Sequence, residues 1–140
     1  MKVKIKKTHK DAIIPSYAIN GDAGMDLTAV DLQYDDDNNI VYDTGLAFEI
    51  PEGYVGLIFP RSSNAKKDLL LSSSVGVLDS NFRGSITFKF KKLEYEGEFY
   101  KVGDRVGQII IMPYPKIEFD EVEELSDTKR GAGGYGSTGK

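Results

Sequence analysis

The 140-residue chain has no cysteine and a single histidine, and each shortage removes a class of chemistry. Without cysteine there are no disulfides, no thiolate metal sites and no thiol nucleophile. With only His9, expected at the surface before the first turn signals, histidine-based acid–base catalysis has almost nothing to build with. No apolar run approaches the ~20 residues of a membrane-spanning helix. Met1-Lys2-Val3-Lys4 also lacks a secretory pattern, so a cytoplasmic protein with no membrane partner is expected. Positive charge is not in excess either: 18 Lys and Arg stand against 22 Asp and Glu, a net charge of −4. That balance argues against a nonspecific nucleic-acid binder. A polyanionic ligand must therefore be met by local positive groups or by a metal ion, not by the overall field.

What is present is globular composition, 40% hydrophobic and 29% charged, in a chain long enough for one core and too short for two ordinary domains. Strand signals dominate. Val3 and Ile5 alternate with lysines, and Leu46, Phe48 and Ile50 alternate before a Pro51-Glu52-Gly53 turn. Tyr54 to Phe59 is a strand stopped by Pro60. Ile86, Phe88 and Phe90 alternate with Thr87, Lys89 and Lys91, giving one buried and one basic face. Val106 to Met112 is apolar apart from Gln108 and reads as a strand buried on both faces, and Ile117 and Phe119 continue after it. Ser62 to Leu71 offers at most a turn or two of helix. Many short strands between turn signals indicate an all-β sandwich or barrel. So small a domain has few layers to cover strand 106–112, and a symmetric oligomer supplies the cover, although a monomer with a central strand is the alternative. Asp35-Asp36-Asp37-Asn38-Asn39 reads as a solvated hairpin or loop insertion rather than a metal cage, and the five carboxylates of 120–127 as a solvated approach to the C-terminal end.

Several residues can carry chemistry. Arg130-Gly131-Ala132-Gly133-Gly134-Tyr135-Gly136-Ser137-Thr138-Gly139 is costly to hold still, because glycine loses the most backbone freedom on ordering. It is either a loose Gly-Ser tail or a segment that a ligand orders. In the second case glycine amides, Ser137, Thr138 and Arg130 wrap polyphosphate oxygens while Tyr135 lies against a base. Asp26, in a glycine-bent strand entry, and Asp79, at the end of an apolar strand, are each a turn former or a partly desolvated base that orients water. Arg61 can form paired hydrogen bonds to phosphate, and Ser62 and Ser63 either cap a short helix or help to bind an anion. Gln108 needs a partner within its apolar strand, either a backbone group or ligand oxygens. Phe82 is either core packing or a flat wall under a sugar.

These segments resemble the five ordered motifs of the trimeric dUTPase (deoxyuridine triphosphate nucleotidohydrolase) family. The motifs are Ala23-Gly24-Met25-Asp26-Leu27; Pro60-Arg61-Ser62-Ser63; Gly76-Val77-Leu78-Asp79-Ser80-Asn81-Phe82-Arg83-Gly84; Gly103-Asp104-Arg105-Val106-Gly107-Gln108; and Arg130 to Gly139. The correspondence runs from about residue 20 to the end. It departs from the commonest pattern at Phe82 for tyrosine, Tyr135 for phenylalanine and Ser63 for glycine. Ser73-Ser74 also lacks an asparagine often found before the third motif.

The resemblance implies a jelly-roll-like β-barrel over residues 1–125, a C-terminal arm over 126–140, and a homotrimer with active sites shared between subunits. The second and fourth motifs would come from one subunit, the third from a neighbour and the arm from the remaining one. The implied reaction is dUTP + water → dUMP + pyrophosphate, with Mg2+ as cofactor, held mainly by substrate phosphates and waters and with Asp26 in its outer shell. Asp79, Asp26 and Gln108 are the implied catalytic residues. Asp79 would activate the water that attacks the α-phosphorus, and Phe82 would underlie the deoxyribose. Main-chain groups around Ser73, Ser74, Val75, Gly76 and Leu78 would read uracil. Arg61, Ser62, Ser63 and Gln108 would hold phosphates. Arg130, Gly133, Gly134, Gly136, Ser137 and Thr138 would cover the β- and γ-phosphates, with Tyr135 stacked on the base; Phe90 or Tyr95 is the alternative lid. The rivals are a deaminase of dCTP on a related fold and a noncatalytic nucleotide-binding regulator.

Overall fold

The computed structural model describes residues 1–37 and 39–136. Ten strands form three antiparallel sheets. They are β1 (Lys4–Lys7), β2 (Met25–Thr28), β3 (Asp31–Tyr34), β4 (Ile40–Asp43), β5 (Leu46–Glu49), β6 (Tyr54–Phe59), β7 (Leu69–Leu71), β8 (Gly76–Leu78), β9 (Thr87–Lys92) and β10 (Arg105–Pro113). One sheet is β1-β5, a second runs β2-β10-β6-β8, and a third β3-β4-β9-β7. The expected all-β class is therefore observed, as stacked open sheets. No sheet closes on itself among the described residues, so the expected barrel is not formed within one chain.

The alternation read from the sequence places the core. Ile86, Phe88 and Phe90 point inward with Leu46, Phe48, Ile40, Tyr42, Leu27, Val106 and Ile109, all buried. Tyr42 meets Phe90 and Tyr100 edge-on at 5.9 and 6.0 Å between ring centres, and donates its hydroxyl to the Tyr100 carbonyl at 2.9 Å. Burial pushes the Tyr42 phenol above its ordinary range, so it stays a neutral donor at all working pH. Each such ring contributes about 2–3 kcal/mol by leaving water. The turn after β5 forms as expected: Gly53 has φ +82°, and the Tyr54 amide donates to the Pro51 carbonyl at 3.1 Å. The acidic segment closes the β3–β4 hairpin. There Asp35 accepts from the Asn39 amide and side chain and pairs with Lys89 at 2.9 Å.

Three expectations are corrected for the single chain. The β10 strand is buried on one face only: Val106 and Ile109 face the core, while Ile110 is half-buried and Met112 exposed on the other side. No strand includes Ile117 or Phe119, which are 62% and 93% exposed; after Tyr114, whose amide donates to the Gly53 carbonyl at 3.0 Å, residues 115–136 belong to no strand. The stretch between Pro60 and β7 forms a single 3-10 turn at Ser62–Lys66, within the turn or two that was expected. His9 is half-buried rather than open, its Cβ lying against the space that Gly45 leaves empty. No helix among the described residues is long and apolar enough to cross a membrane.

Candidate active site

The first, second and fourth motifs converge at one end of the second sheet. Gln108 on β10 pairs with Asp26 on β2 on one side and with Phe59 on β6 on the other. These positions therefore share the face turned away from the core. A register shift between Arg105 and Gly107 inserts one extra residue in β10. In a regular strand, residues 105 and 108 would project to opposite faces; the bulge returns both to the same one. Val106 is thereby turned inward to complete burial, and Arg105 reaches Asp26.

Asp26 is the hub of this cluster. One carboxylate oxygen accepts from Arg61 Nε at 2.8 Å and the other from Arg105 Nη1 at 2.9 Å. Arg61 Nη1 also donates to Ser63 Oγ at 3.2 Å. A guanidinium carries five N–H groups, so the remaining ones of Arg61 are presented, in a fixed orientation, to an anion. Ser62 is exposed, and the helix begins at Arg61 with no side-chain cap, so neither serine caps it. Gln108 Nε2 donates to the Pro60 carbonyl at 3.3 Å, the backbone partner its burial requires, and its Oε1 sits over Gly24. A β-carbon on Gly24 would lie 2.6 Å from that oxygen, so any larger residue there would displace the Gln108 amide.

The third motif lies elsewhere. β8 pairs with β6 from Gly56↔Leu78 to Ile58↔Gly76, and the following hairpin carries Asp79 beside Tyr54, Val55, Ser80, Asn81 and Tyr114. Asp79 is therefore at the start of β6 and Arg61 just past its end. At ~3.3 Å per residue the six-residue strand separates them by about 17 Å. Asp79 is exposed in the single chain, contrary to the expected partial desolvation, and Phe82, 44% exposed, is not part of the core. Ser73, Ser74 and Val75 are exposed beside this hairpin, and Gly76 and Leu78 half-buried. Ser74 has φ +60°, a left-handed conformation unusual for a residue with a β-carbon. The structure does not bring the hairpin to the Arg61 cluster.

In the C-terminal segment, Arg130 Nε donates to its own Gly133 carbonyl at 2.8 Å, Tyr135 is fully exposed with φ +50°, and Gly134 and Gly136 are open. Ser137 and Thr138 lie outside the described residues. Phe90 is fully buried and so is withdrawn as a lid; Tyr95 is 81% exposed but lies near Lys92.

The residues do not build a protein-held metal site. No group of three or more metal-ligating side chains assembles among the described residues, and both oxygens of Asp26 are engaged by arginine. Arg105 was the member of the site that sequence reasoning did not single out. Its only signal was its place in the fourth motif, because the bulge that aims it is not visible in a strand pattern.

The all-β scaffold thus gathers Arg61, Arg105 and Gln108 about Asp26 and holds the hairpin that carries Asp79 about 17 Å away. The dUTPase family model matches residues 10–139, and the chain belongs to this family. It is 43% identical over 142 residues to the deoxyuridine 5'-triphosphate nucleotidohydrolase of Nautilia profundicola, covering 100% of each chain. It is 39% identical to that of Hydrogenobaculum sp., with 99% of each covered. Among solved structures it resembles the G164S mutant of the Staphylococcus bacteriophage 80alpha dUTPase with dUpNHpp, at a TM-score of 0.82, 27% identity and 99% coverage of both chains. The dUTPase of phage phi11, described with a structural Mg(II) ion, shares the fold at TM-score 0.79 and 22% identity, with 91% of this chain covered.

Proposed function

We propose that the protein hydrolyses dUTP to dUMP and pyrophosphate at a site completed by neighbouring copies of itself. The observation that carries the shared site is the separation along β6. The phosphate-directed cluster of Arg61, Ser63, Arg105 and Gln108 stands about 17 Å from the hairpin bearing Asp79. No nucleotide α-phosphorus can touch both in one chain, whereas the exposed outer face of β10 offers a surface for a second copy. A homotrimer brings the hairpin of one subunit to the cluster of another, and the two main sheets then form the halves of a jelly-roll-like unit. Residues 126–140 act as the arm over a neighbouring site, and 114–125 connect it.

In that assembly Arg61, Ser62, Ser63 and Gln108 hold the phosphates, and Asp26 keeps the two arginines aimed. Asp79 accepts a proton from a water as its oxygen bonds to the α-phosphorus; the α–β bridging oxygen leaves with pyrophosphate. Phe82 underlies the deoxyribose, and the backbone of residues 73–78 meets the uracil edge. The arm lends Arg130, Tyr135 and the groups of 133–138 as cover. Mg2+, held by the triphosphate and waters rather than by protein side chains, would offset the phosphate charge when bound. Catalysis of this kind rests on placement and electrostatics, which explains how a chain with one histidine performs it.

Pyrophosphate release with magnesium is measured for dUTP, dTTP, dCTP and UTP. Turnover confined to dUTP is expected. A uracil product from dCTP, or no turnover with any of the four, overturns the reading.

A further inference from the structure

We infer that Gly84 is a positioning residue that sets the Phe82 ring, and through it the discrimination against ribonucleotides. The inference rests on the reading of Phe82 as the wall beneath the sugar. Within the hairpin, Phe82 N–H donates to the Asp79 carbonyl at 3.1 Å. Arg83 Nη1 donates to the carbonyls of Ser80 at 2.6 Å and Phe82 at 2.9 Å, so the guanidinium closes the loop from below. The backbone that carries the ring is thus fixed on both sides. The ring itself folds back over Gly84. A β-carbon at residue 84 would lie 2.6 Å from Phe82 Cζ, 3.0 Å from Cε2 and 3.4 Å from Cε1.

This contact differs from the other tight glycines of the fold. At Gly107 the added carbon would strike the buried Phe88, and at Gly76 the buried Ile58, where nothing can move cheaply. At Gly84 it would strike the tip of a side chain that is 44% exposed and free to swing outward. Gly84 also does not have the positive φ that penalises other residues. A methyl at this position therefore costs little folding and is expressed as displacement of one ring. A sugar wall lifted from its seat no longer closes the space against a 2′-hydroxyl. A single-methyl change at a discriminating surface is worth roughly tenfold or more in relative kcat/KM.

The test compares wild type, Gly84→Ala, Phe82→Ala and the double variant, recording kcat and KM with dUTP and UTP, melting curves, and the Hα resonances of Gly84. The ring current of Phe82 moves those protons away from their ordinary position in the wild type, and Phe82→Ala removes the shift. Gly84→Ala is expected to melt like wild type, to lower the dUTP-to-UTP ratio of kcat/KM about tenfold, and to add nothing in the Phe82→Ala background. An unshifted Gly84 Hα in the wild type overturns the inference without any activity measurement, which keeps it testable if Gly84→Ala fails to fold. A ratio that falls in Phe82→Ala but not in Gly84→Ala overturns the role of Gly84 alone. A ratio unmoved in Phe82→Ala overturns the sugar-wall reading and this inference with it.

Discussion

Replacing Asp26 by asparagine tests the hub of the phosphate cluster with the smallest change of shape. The carboxylate accepts from Arg61 at 2.8 Å and from Arg105 at 2.9 Å, one arginine on each oxygen. Asparagine keeps a single acceptor, and whichever arginine faces its NH2 group meets donor against donor. The Arg61 pair is well shielded, with side chains 25% and 26% exposed, whereas Arg105 is 55% exposed. A charge-assisted bond is worth about 1.5–3 kcal/mol net, which partial exposure reduces to about 1–2 for Arg61. The Arg105 pair contributes about 0–1 kcal/mol. The expected loss is therefore about 2 kcal/mol, or roughly thirtyfold if all of it is expressed in substrate binding and about tenfold if part is recovered. Steady-state pyrophosphate release should show this mainly as a raised KM, because the arginines grip the phosphates before and during reaction. The melting temperature should fall by about 5 °C. In an Arg61→Met background the same substitution should cost much less, since its principal partner is gone. A kcat/KM within about twofold of wild type for Asp26→Asn would refute the proposal that this carboxylate aims the arginines.

Other consequences can be checked separately. Asp79→Asn should abolish turnover while leaving nucleotide affinity nearly unchanged in calorimetry; near-normal kcat would remove Asp79 from its role as base. Deleting residues 129–140 should cut activity strongly without altering the melting curve or the trimeric mass by light scattering, and equal rates in full-length and truncated protein would contradict an arm that closes the site. Gly107→Ala forces a methyl toward the Phe88 ring, 2.0 Å from its Cε1, and should lower stability by at least about 1–3 kcal/mol in urea denaturation. The Lys89 ammonium and Asn39 hold Asp35 well below the usual carboxylate range. A depressed carboxylate stabilises the fold above its unfolded value, about 4, and loses that contribution as pH falls through the lower folded value. Lys89→Met should therefore lower the melting temperature near pH 7, and the gap from wild type should close only in strong acid; a gap constant with pH would contradict the pairing.

Strands with strict alternation were legible because their pattern answers to one rule, an apolar face turned inward. Ile86, Phe88 and Phe90 are buried as expected, and Tyr54–Phe59 is a strand between the predicted turn and Pro60. Continuous apolar character was less informative. The outer face of β10 was expected to be covered and is open in the chain by itself, since hydrophobicity records that cover is needed and not where it comes from. Ile117 and Phe119 carry a strand-like pattern but pair with no strand among the described residues. Phe90 could be proposed as a lid only because sequence spacing does not say which aromatic rings the core takes.

The amino-acid sequence alone determined the all-β class, the absence of cysteine and hence of thiol chemistry, and the ordered motifs, because residue type and local period need no partner to be read. The tertiary structure decided which motifs meet. Pairing across three strands joins Asp26, Gln108 and the Pro60–Arg61 corner, and a single extra residue in β10 turns Arg105 toward them. That bulge arises from long-range hydrogen bonding, for which no local pattern codes.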